Sequence, residues 1–198
     1  MNGITALLLA AGLSRRFGAA NKLLVDIGGE PMVRRVAAAL CASKARRVVA
    51  VLGHEADRVG VALSGLPLET VINPNFIDGR VSSVRAGVAA VTDDALGFMM
   101  CLADQPLLGH TDYNRLIDAF ADRPDRVLVP FLAGKRGNPV VIPIVLRDAI
   151  LAGGGGCRTF IDAHPELVRP LDVSNQGYRN DFDTQEAFAA NAGRGSAG

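Results

Sequence analysis

Two stretches of this chain hold the side chains from which chemistry could be built. In the first, Ala11, Gly12, Ser14 and Gly18 are small or permissive residues, and among and after them come Arg15, Arg16 and Lys22. Small residues let a backbone approach a ligand closely and turn its N–H groups toward it. Three cations in the same neighbourhood add positive charge, and the combination suits a triphosphate or pyrophosphate. In the second stretch, Asp104 directly follows the most apolar run in the chain and precedes Gln105 and Pro106. A carboxylate beside a phosphate loop makes sense if Mg²⁺ lies between it and the phosphates. Each stretch also has an ordinary reading: a strand-to-helix loop with solvated arginines, and an aspartate that starts a turn. His54 could be a ligand, but a lone histidine at a strand end is more often a loop residue.

The two stretches can cooperate only if the fold brings them to one edge. Residues 4–10 are a short apolar run bounded by small residues, which is how a buried strand of a parallel sheet reads. Further strands are expected at 47–52, 68–72, 96–103, 126–131 and 167–173, with a turn at 134–137 leading into 138–142. Helices are expected after Pro31, at 55–63, 81–91, 111–120 and 159–163, and at 185–191. Gly153 to Gly156 read as a flexible break. This alternation predicts a three-layer α/β/α, Rossmann-like fold with a mostly parallel sheet. Right-handed crossovers put the loops after parallel strands on one edge. Ligands of such sheets bind outside the carboxyl ends of the strands. The loop after Ala10 and the carboxylate after Ala103 therefore belong together. Residues 1–191 read as a single domain, and 192–198 as a frayed tail with little to pack.

Composition narrows the classes. With 198 residues, 49% hydrophobic and 5% aromatic, and no Trp, the core is one of Ala, Val and Leu. Lys+Arg 21 against Asp+Glu 20 does not indicate a generally basic nucleic-acid-binding surface. Cys41, Cys101 and Cys157 are odd in number and widely spaced, so they form neither a disulfide framework nor a zinc pattern. Free thiols fit a reducing cytoplasm. The apolar start lacks a basic n-region and is too short to span a membrane. A cytoplasmic protein is expected, with neither a membrane nor a nucleic-acid partner.

The run Leu9-Ala10-Ala11-Gly12-Leu13-Ser14-Arg15-Arg16-Phe17-Gly18, followed by Lys22, resembles the L-A-A-G-x-S-x-R-M-G…K signature of NTP-using nucleotidyltransferases. Phe17 replaces the usual methionine, and the gap to Lys22 is one residue longer than the commonest form. Leu102-Ala103-Asp104-Gln105-Pro106 is similar to the second signature of the same superfamily. Its Asp-Gln-Pro form, with Ala10-Ala11-Gly12, is similar to molybdenum cofactor cytidylyltransferases of the MobA-like NTP transferase family. The guanylyl enzymes more often show Leu-Ala-Gly-Gly and Asp-Met-Pro. Asn73-Pro74 through Gly79 to Ser82-Ser83-Val84-Arg85-Ala86-Gly87 is similar to the loop and helix start that meets the base. Gly137-Asn138-Pro139-Val140 is similar to a Gly-x-Pro turn near the acceptor side. Asp181-Phe182-Asp183-Thr184-Gln185-Glu186 is similar to Asp-Ile-Asp-Thr-Pro-Glu, with Gln185 in place of proline.

The resemblance implies a nucleotide-diphospho-sugar transferase type of fold and transfer of CMP from CTP to the terminal phosphate of molybdopterin, releasing pyrophosphate. Mg²⁺ is the implied cofactor, on Asp104 with a second carboxylate from Asp181 or Asp183, Asp181 being favoured. Ala10, Ala11, Gly12, Leu13, Arg16, Lys22, Arg80, Ser83 and Asp104 are the implied nucleotide-binding residues, Arg16 and Lys22 being catalytic. Ala11 and Gln105 are expected to close the base pocket against a guanine, and Ser83 to read the base. The partners are CTP or GTP, molybdopterin or molybdenum cofactor, and a molybdoenzyme or its maturation chaperone. GTP use, another phosphorylated acceptor and a non-catalytic cofactor-binding chaperone are the alternatives. A dinucleotide-binding oxidoreductase would want G-x-G-x-x-G after the first strand. Gly12 stands without that spacing, and Lys22 is then unexplained.

Overall fold

The computed structural model describes residues 3–13 and 20–180. At its centre lies β1 (Ile4–Ala10), flanked in parallel by β2 (Arg47–Leu52) and β4 (Gly97–Leu102), with β3 (Glu69–Ile72) beyond β2. The far side is mixed. β7 (Val140–Pro143) runs antiparallel between β4 and β5 (Val127–Leu132). β6 (Lys135–Arg136) pairs antiparallel with β5, and β8 (Val168–Asp172) joins β5 in parallel. The strand order is β3-β2-β1-β4-β7-β5-β6, with β8 also on β5.

Alternate residues of the central strands enter two separate cores, because strand side chains alternate faces. Ala6, Leu8, Ala50, Met99 and Cys101 pack beneath α1 (Met32–Cys41), α2 (Ala56–Leu63) and α4 (His110–Asp122). Leu7, Val49, Phe98 and Met100 pack beneath α3 (Arg80–Ala89), α5 (Arg147–Ala152) and α6 (Gly156–Ala163). The three-layer expectation holds. The central strands read as continuous apolar runs because both of their faces are covered.

Two stretches differ from the sequence reading. α5 was not expected: six residues with Ile150 as their one buried side chain show no helical period. α6 begins at Gly156 rather than at 159, that glycine taking a φ of +70°. The expected final helix at 185–191 and the tail at 192–198 lie outside the described residues. Among the described residues no helix is long and apolar enough to cross a membrane.

Candidate active site

β1 and β4 are neighbours, yet the chain leaves them in opposite directions across the sheet: β2 and β3 lie on one side, β7 and β5 on the other. Their carboxyl ends therefore open a crevice of the kind that holds ligands in α/β sheets. Leu9 is registered with Leu102, and the Ala103 N–H donates to the Leu9 carbonyl at 3.3 Å. That register puts the loop after Ala10 directly beside Asp104.

Lys22 enters the crevice from a separate turn. Lys22–Leu24 form a short 3₁₀ helix that the Asn21 side chain caps, its Oδ1 accepting from the Leu23 N–H at 3.1 Å. Leu23 is buried and anchors the turn. Lys22 Nζ then donates to Asp104 Oδ2 at 2.6 Å, with the two side chains 14% and 15% exposed. Eighty-two positions apart in sequence, these two charges meet at the base of a cavity of about 390 Å³.

Gly12, Leu13, Lys22, Asp104, Arg80 and Ser83 line that cavity, as does Ala11, with Leu9 and Leu102 as its floor and Phe76 and Ile77 at its lip. Seven of the sequence-predicted residues thus share one space. Its size falls within the ~300–1,000 Å³ usual for small-molecule sites. Ala10 does not line it: its side chain is 1% exposed and belongs to the core under α1 and α4. Arg15, Arg16, Asp181 and Asp183 lie outside the described residues.

The wall opposite the loop is the start of α3. Asn73 is buried just past β3; its Nδ2 donates to Ser82 Oγ at 2.9 Å and to Ser83 Oγ at 3.1 Å. Its Oδ1 accepts from the Asn75 N–H at 3.0 Å. Ser82 in turn donates to the carbonyls of Asn75 and Gly79. Ser83 Oγ is therefore held as an acceptor by Asn73, which leaves its own O–H to donate into the cavity. Gly79, at φ +98°, turns the chain into the helix. The sequence quoted Asn73 only as part of a resemblance; its orienting role needed the distance to Ser83. Asn21 was missed, although a polar residue ahead of an apolar pair is a recognisable cap signal.

The packing of Ala11 and Gln105 bears on the expected base pocket. Ala11 is only 2% exposed, and its methyl group faces β2: a Cβ built on Gly53 would stand 2.8 Å from it and 2.6 Å from the Phe76 Cβ. Ala11 thus packs against the backbone of Gly53, where a side chain would clash with it and with Phe76, while it also lines the cavity. Gln105 points the other way from Asp104. It is 2% exposed, and its Nε2 donates to the Tyr178 carbonyl at 3.3 Å. It ties the Asp104 loop to the segment after β8 and does not line the cavity. His54 also stays outside the cavity lining, its ring 6.1 Å from that of Phe76.

Among the described residues no group of three His, Cys, Asp or Glu gathers as a metal cage. Mg²⁺ does not need one: it is commonly bound through one or two carboxylates, with substrate phosphates and water completing its shell. Asp104 inside a cavity lined by loop backbone fits that donor set.

Residues 6–168 match the family model described as the MobA-like NTP transferase domain. Nicotine blue oxidoreductase of Paenarthrobacter nicotinovorans is 32% identical, over 92% of this chain and 93% of that protein. A probable molybdenum cofactor guanylyltransferase of Natronomonas pharaonis is 29% identical over 69% of each chain. The bifunctional protein GlmU of Sorangium cellulosum is 30% identical over 74% of this chain, which spans only 32% of that longer protein. Among solved structures, Rv0371c of Mycobacterium tuberculosis H37Rv superposes with a TM-score of 0.84 at 23% identity, over 97% of this chain and 98% of that one. The same protein has also been solved as a manganese complex, with a TM-score of 0.79 at 21% identity over 96% and 97% of the two chains.

Proposed function

The chain belongs to the MobA-like NTP transferase family and is a nucleotidyltransferase, and from that premise we propose that it transfers CMP from CTP to the terminal phosphate of molybdopterin, releasing pyrophosphate. The carrying observation is the Lys22–Asp104 pair at 2.6 Å, set where the loops after β1 and β4 meet. It brings a cation and a hard oxygen ligand together within one cavity. The reaction forms a bond from an acceptor phosphate oxygen to the α-phosphorus. It breaks the α–β bridging P–O bond, and that electron pair leaves with pyrophosphate. A phosphate monoester is largely dianionic near neutral pH, with a second pKa of about 6, so it attacks without a strong general base. Catalysis is then positioning and charge neutralisation.

In this reading the N–H groups of Ala11 to Leu13 cradle the phosphates. Lys22 exchanges Asp104 for the phosphates as they arrive, and Arg16 adds a second positive charge. Ser83, oriented by Asn73, donates to an acceptor on the base edge. Mg²⁺, held by Asp104 with Asp181 favoured over Asp183 as the second carboxylate, would neutralise phosphate charge. The manganese complex of Rv0371c supports a divalent ion on this fold. The guanylyltransferase relative supports the pterin acceptor and keeps GTP as the alternative nucleotide. The cytidylyl preference rests on the resemblance of Ala10-Ala11-Gly12, Asp104-Gln105-Pro106 and the Ser82-Ser83-Val84 segment to the cytidylyl form.

A second reading has its own observation. The nicotine blue oxidoreductase relative matches 92% of this chain, more than the guanylyltransferase does. Oxidation or reduction of nicotine blue would use the same cavity. One experiment separates the two: purified protein with CTP or GTP, Mg²⁺ and molybdopterin, followed for pyrophosphate. In parallel it is given nicotine blue and a two-electron reductant and followed for a change of colour. Pyrophosphate formation with CTP preferred supports the first reading. Colour change without pyrophosphate would replace it with the second.

A further inference from the structure

Glu55 stands in a conformation that its residue type does not favour. It closes the turn from β2 into α2 with a φ of 51° and a ψ of 40°, in the left-handed region. Glycine enters that region without strain and asparagine or aspartate with little, whereas a longer side chain is strained there. Capping does not explain the glutamate, because its side chain makes no capping hydrogen bond to α2. Its carboxylate contacts do explain it. One oxygen accepts from Arg58, three residues along α2, and His54 Nδ1 lies 3.9 Å from the other. The Asn21 carboxamide lies against the same carboxylate; Arg58 first, and Asn21 with it, holds that acid below the usual carboxylate range. The turn is also tied to the crevice. The His54 N–H donates to the Ala11 carbonyl at 3.4 Å, and the His54 ring faces Phe76 at the lip. Asn21 in turn is 5% exposed and caps the short 3₁₀ helix that carries Lys22, against which α2 packs.

We propose that Glu55 is a positioning residue for the transfer: it orients the Asn21 carboxamide, and through it the turn that presents Lys22 to Asp104 and to the nucleotide phosphates. The inference rests on the nucleotidyl-transfer reading and adds a residue outside the cavity lining, on a turn outside both nucleotidyltransferase signatures. The chemistry of the two groups sets the orientation. An ionised carboxylate only accepts hydrogen bonds, whereas a carboxamide has one accepting and one donating end. With Glu55 at the donating end, the Asn21 oxygen is the end that meets the Leu23 N–H, from which it accepts at 3.1 Å. A flipped carboxamide would set its NH₂ against that N–H and its oxygen against the carboxylate. Lys22 precedes Leu23 by one residue, and from that turn its ammonium reaches Asp104 at 2.6 Å. The strain at Glu55 then has a reason: a carboxylate is held where glycine would serve the backbone better.

The test sets a positioning role against a merely structural one. Pyrophosphate release from CTP with Mg²⁺ and molybdopterin gives kcat and KM for wild type, Glu55→Gly, Glu55→Gln and Arg58→Ala. Tm and amide hydrogen exchange at Leu23 are measured on the same free proteins. Glycine fits a φ of 51° better than glutamate, so Glu55→Gly is expected to keep or raise Tm. It removes the carboxylate, so kcat is expected to fall and Leu23 exchange to quicken, each roughly 10-fold, the size of one hydrogen bond, with KM for CTP changed less. Glu55→Gln keeps an oxygen that accepts from Asn21 and is expected to recover most of that loss. Arg58→Ala, which breaks the ion pair alone, is expected to leave kcat/KM unchanged. In a Lys22→Ala background Glu55→Gly is expected to add nothing, because both act through one group. Wild-type kcat in Glu55→Gly, or a lowered Tm, would overturn the proposal. So would an additive loss in the Lys22→Ala background, or losses in Arg58→Ala and Glu55→Gln as large as in Glu55→Gly. Wild type that releases no pyrophosphate with CTP or GTP would sink the transferase reading instead. Leu23 exchange would then still decide whether Glu55 holds the turn, unchanged exchange in Glu55→Gly showing that it does not.

Discussion

At the scale of single residues, the ion pair of Lys22 and Asp104 is where most of the chemistry is at stake. Asp104→Ala removes the carboxylate from the crevice but no core packing, so the expected outcome is loss of pyrophosphate release with an unchanged circular dichroism spectrum. Chelation by EDTA should stop the wild-type enzyme, and added Mg²⁺ should restore it. An active Asp104→Ala protein would refute the metal assignment. Lys22→Ala is expected to lower kcat/KM roughly 10²–10³-fold, the size of one charge contact made in the transition state. The packing also changes what should be expected of nucleotide choice. Gln105 is committed to the Tyr178 carbonyl, and the Ala11 methyl faces Gly53. Ala11→Gly with Gln105→Met should therefore leave the ratio of kcat/KM for CTP and GTP nearly unchanged. Ser83→Ala, which deletes a donor aimed into the cavity, should move that ratio. If the double change erodes a CTP preference and Ser83→Ala does not, bulk rather than hydrogen bonding sets the choice.

At the scale of elements, the join between β3 and α3 is the piece that positions the base wall. Asn73 makes three hydrogen bonds there while 3% exposed. Asn73→Leu would leave the buried Ser83 hydroxyl and the Asn75 N–H without this partner, at a cost of about 1–3 kcal/mol for a buried group left unsatisfied, while Ser82 keeps its bonds to the Asn75 and Gly79 carbonyls. The expected result is a lower Tm and a raised KM for the nucleotide, with a smaller effect on kcat once nucleotide is saturating. An unchanged KM would show that Ser83 is held by α3 alone. This join also marks how far the sequence was legible. The apolar runs of β1, β2 and β4 and the punctuation by Gly and Pro made the strands and most helices readable, and the edge rule placed Asp104 beside the loop after Ala10. Side-chain direction was not readable. Gln105 follows Asp104 by one residue, and its Nε2 donates to the Tyr178 carbonyl 73 positions further on, a partner that no local pattern announces. β7 was equally hidden. Residues 140–143 read as a strand, but nothing local says that they insert antiparallel between β4 and β5.

At the scale of the whole molecule, the three layers can be tested through the thiols, which happen to sample each core. Cys101 lies in the core under α1 and α4, Cys157 in the core under α3 and α6, and Cys41 half-buried at the end of α1. Burial raises the pKa of all three; Cys157 is pushed up to about 12, and Cys101 is fully enclosed. A thiol reagent at pH 8 should therefore label Cys41 first, and Cys101 and Cys157 only after denaturation. The same burial sets a pH dependence. An unfolded thiol ionises near pH 8.5, whereas these two hold their protons to much higher pH in the folded chain. Below about pH 8.5 the folded and unfolded states bind the same protons, and this contribution to stability is fully present. Between there and about pH 12 the unfolded state loses protons that the folded state keeps. Stability falls by roughly 1.4 kcal/mol per pH unit for each such thiol. Tyr113 and Tyr178, whose phenols burial also raises, add to the fall above about pH 10. Urea denaturation from pH 7 to 10.5 should show a plateau and then a steepening decline. Cys157→Ala should remove one thiol's share of that slope, even though the lost packing lowers the plateau. Stability that stays flat to pH 10.5, or early labelling of Cys157 in the native protein, would mean that the layer of α3 and α6 opens to solvent.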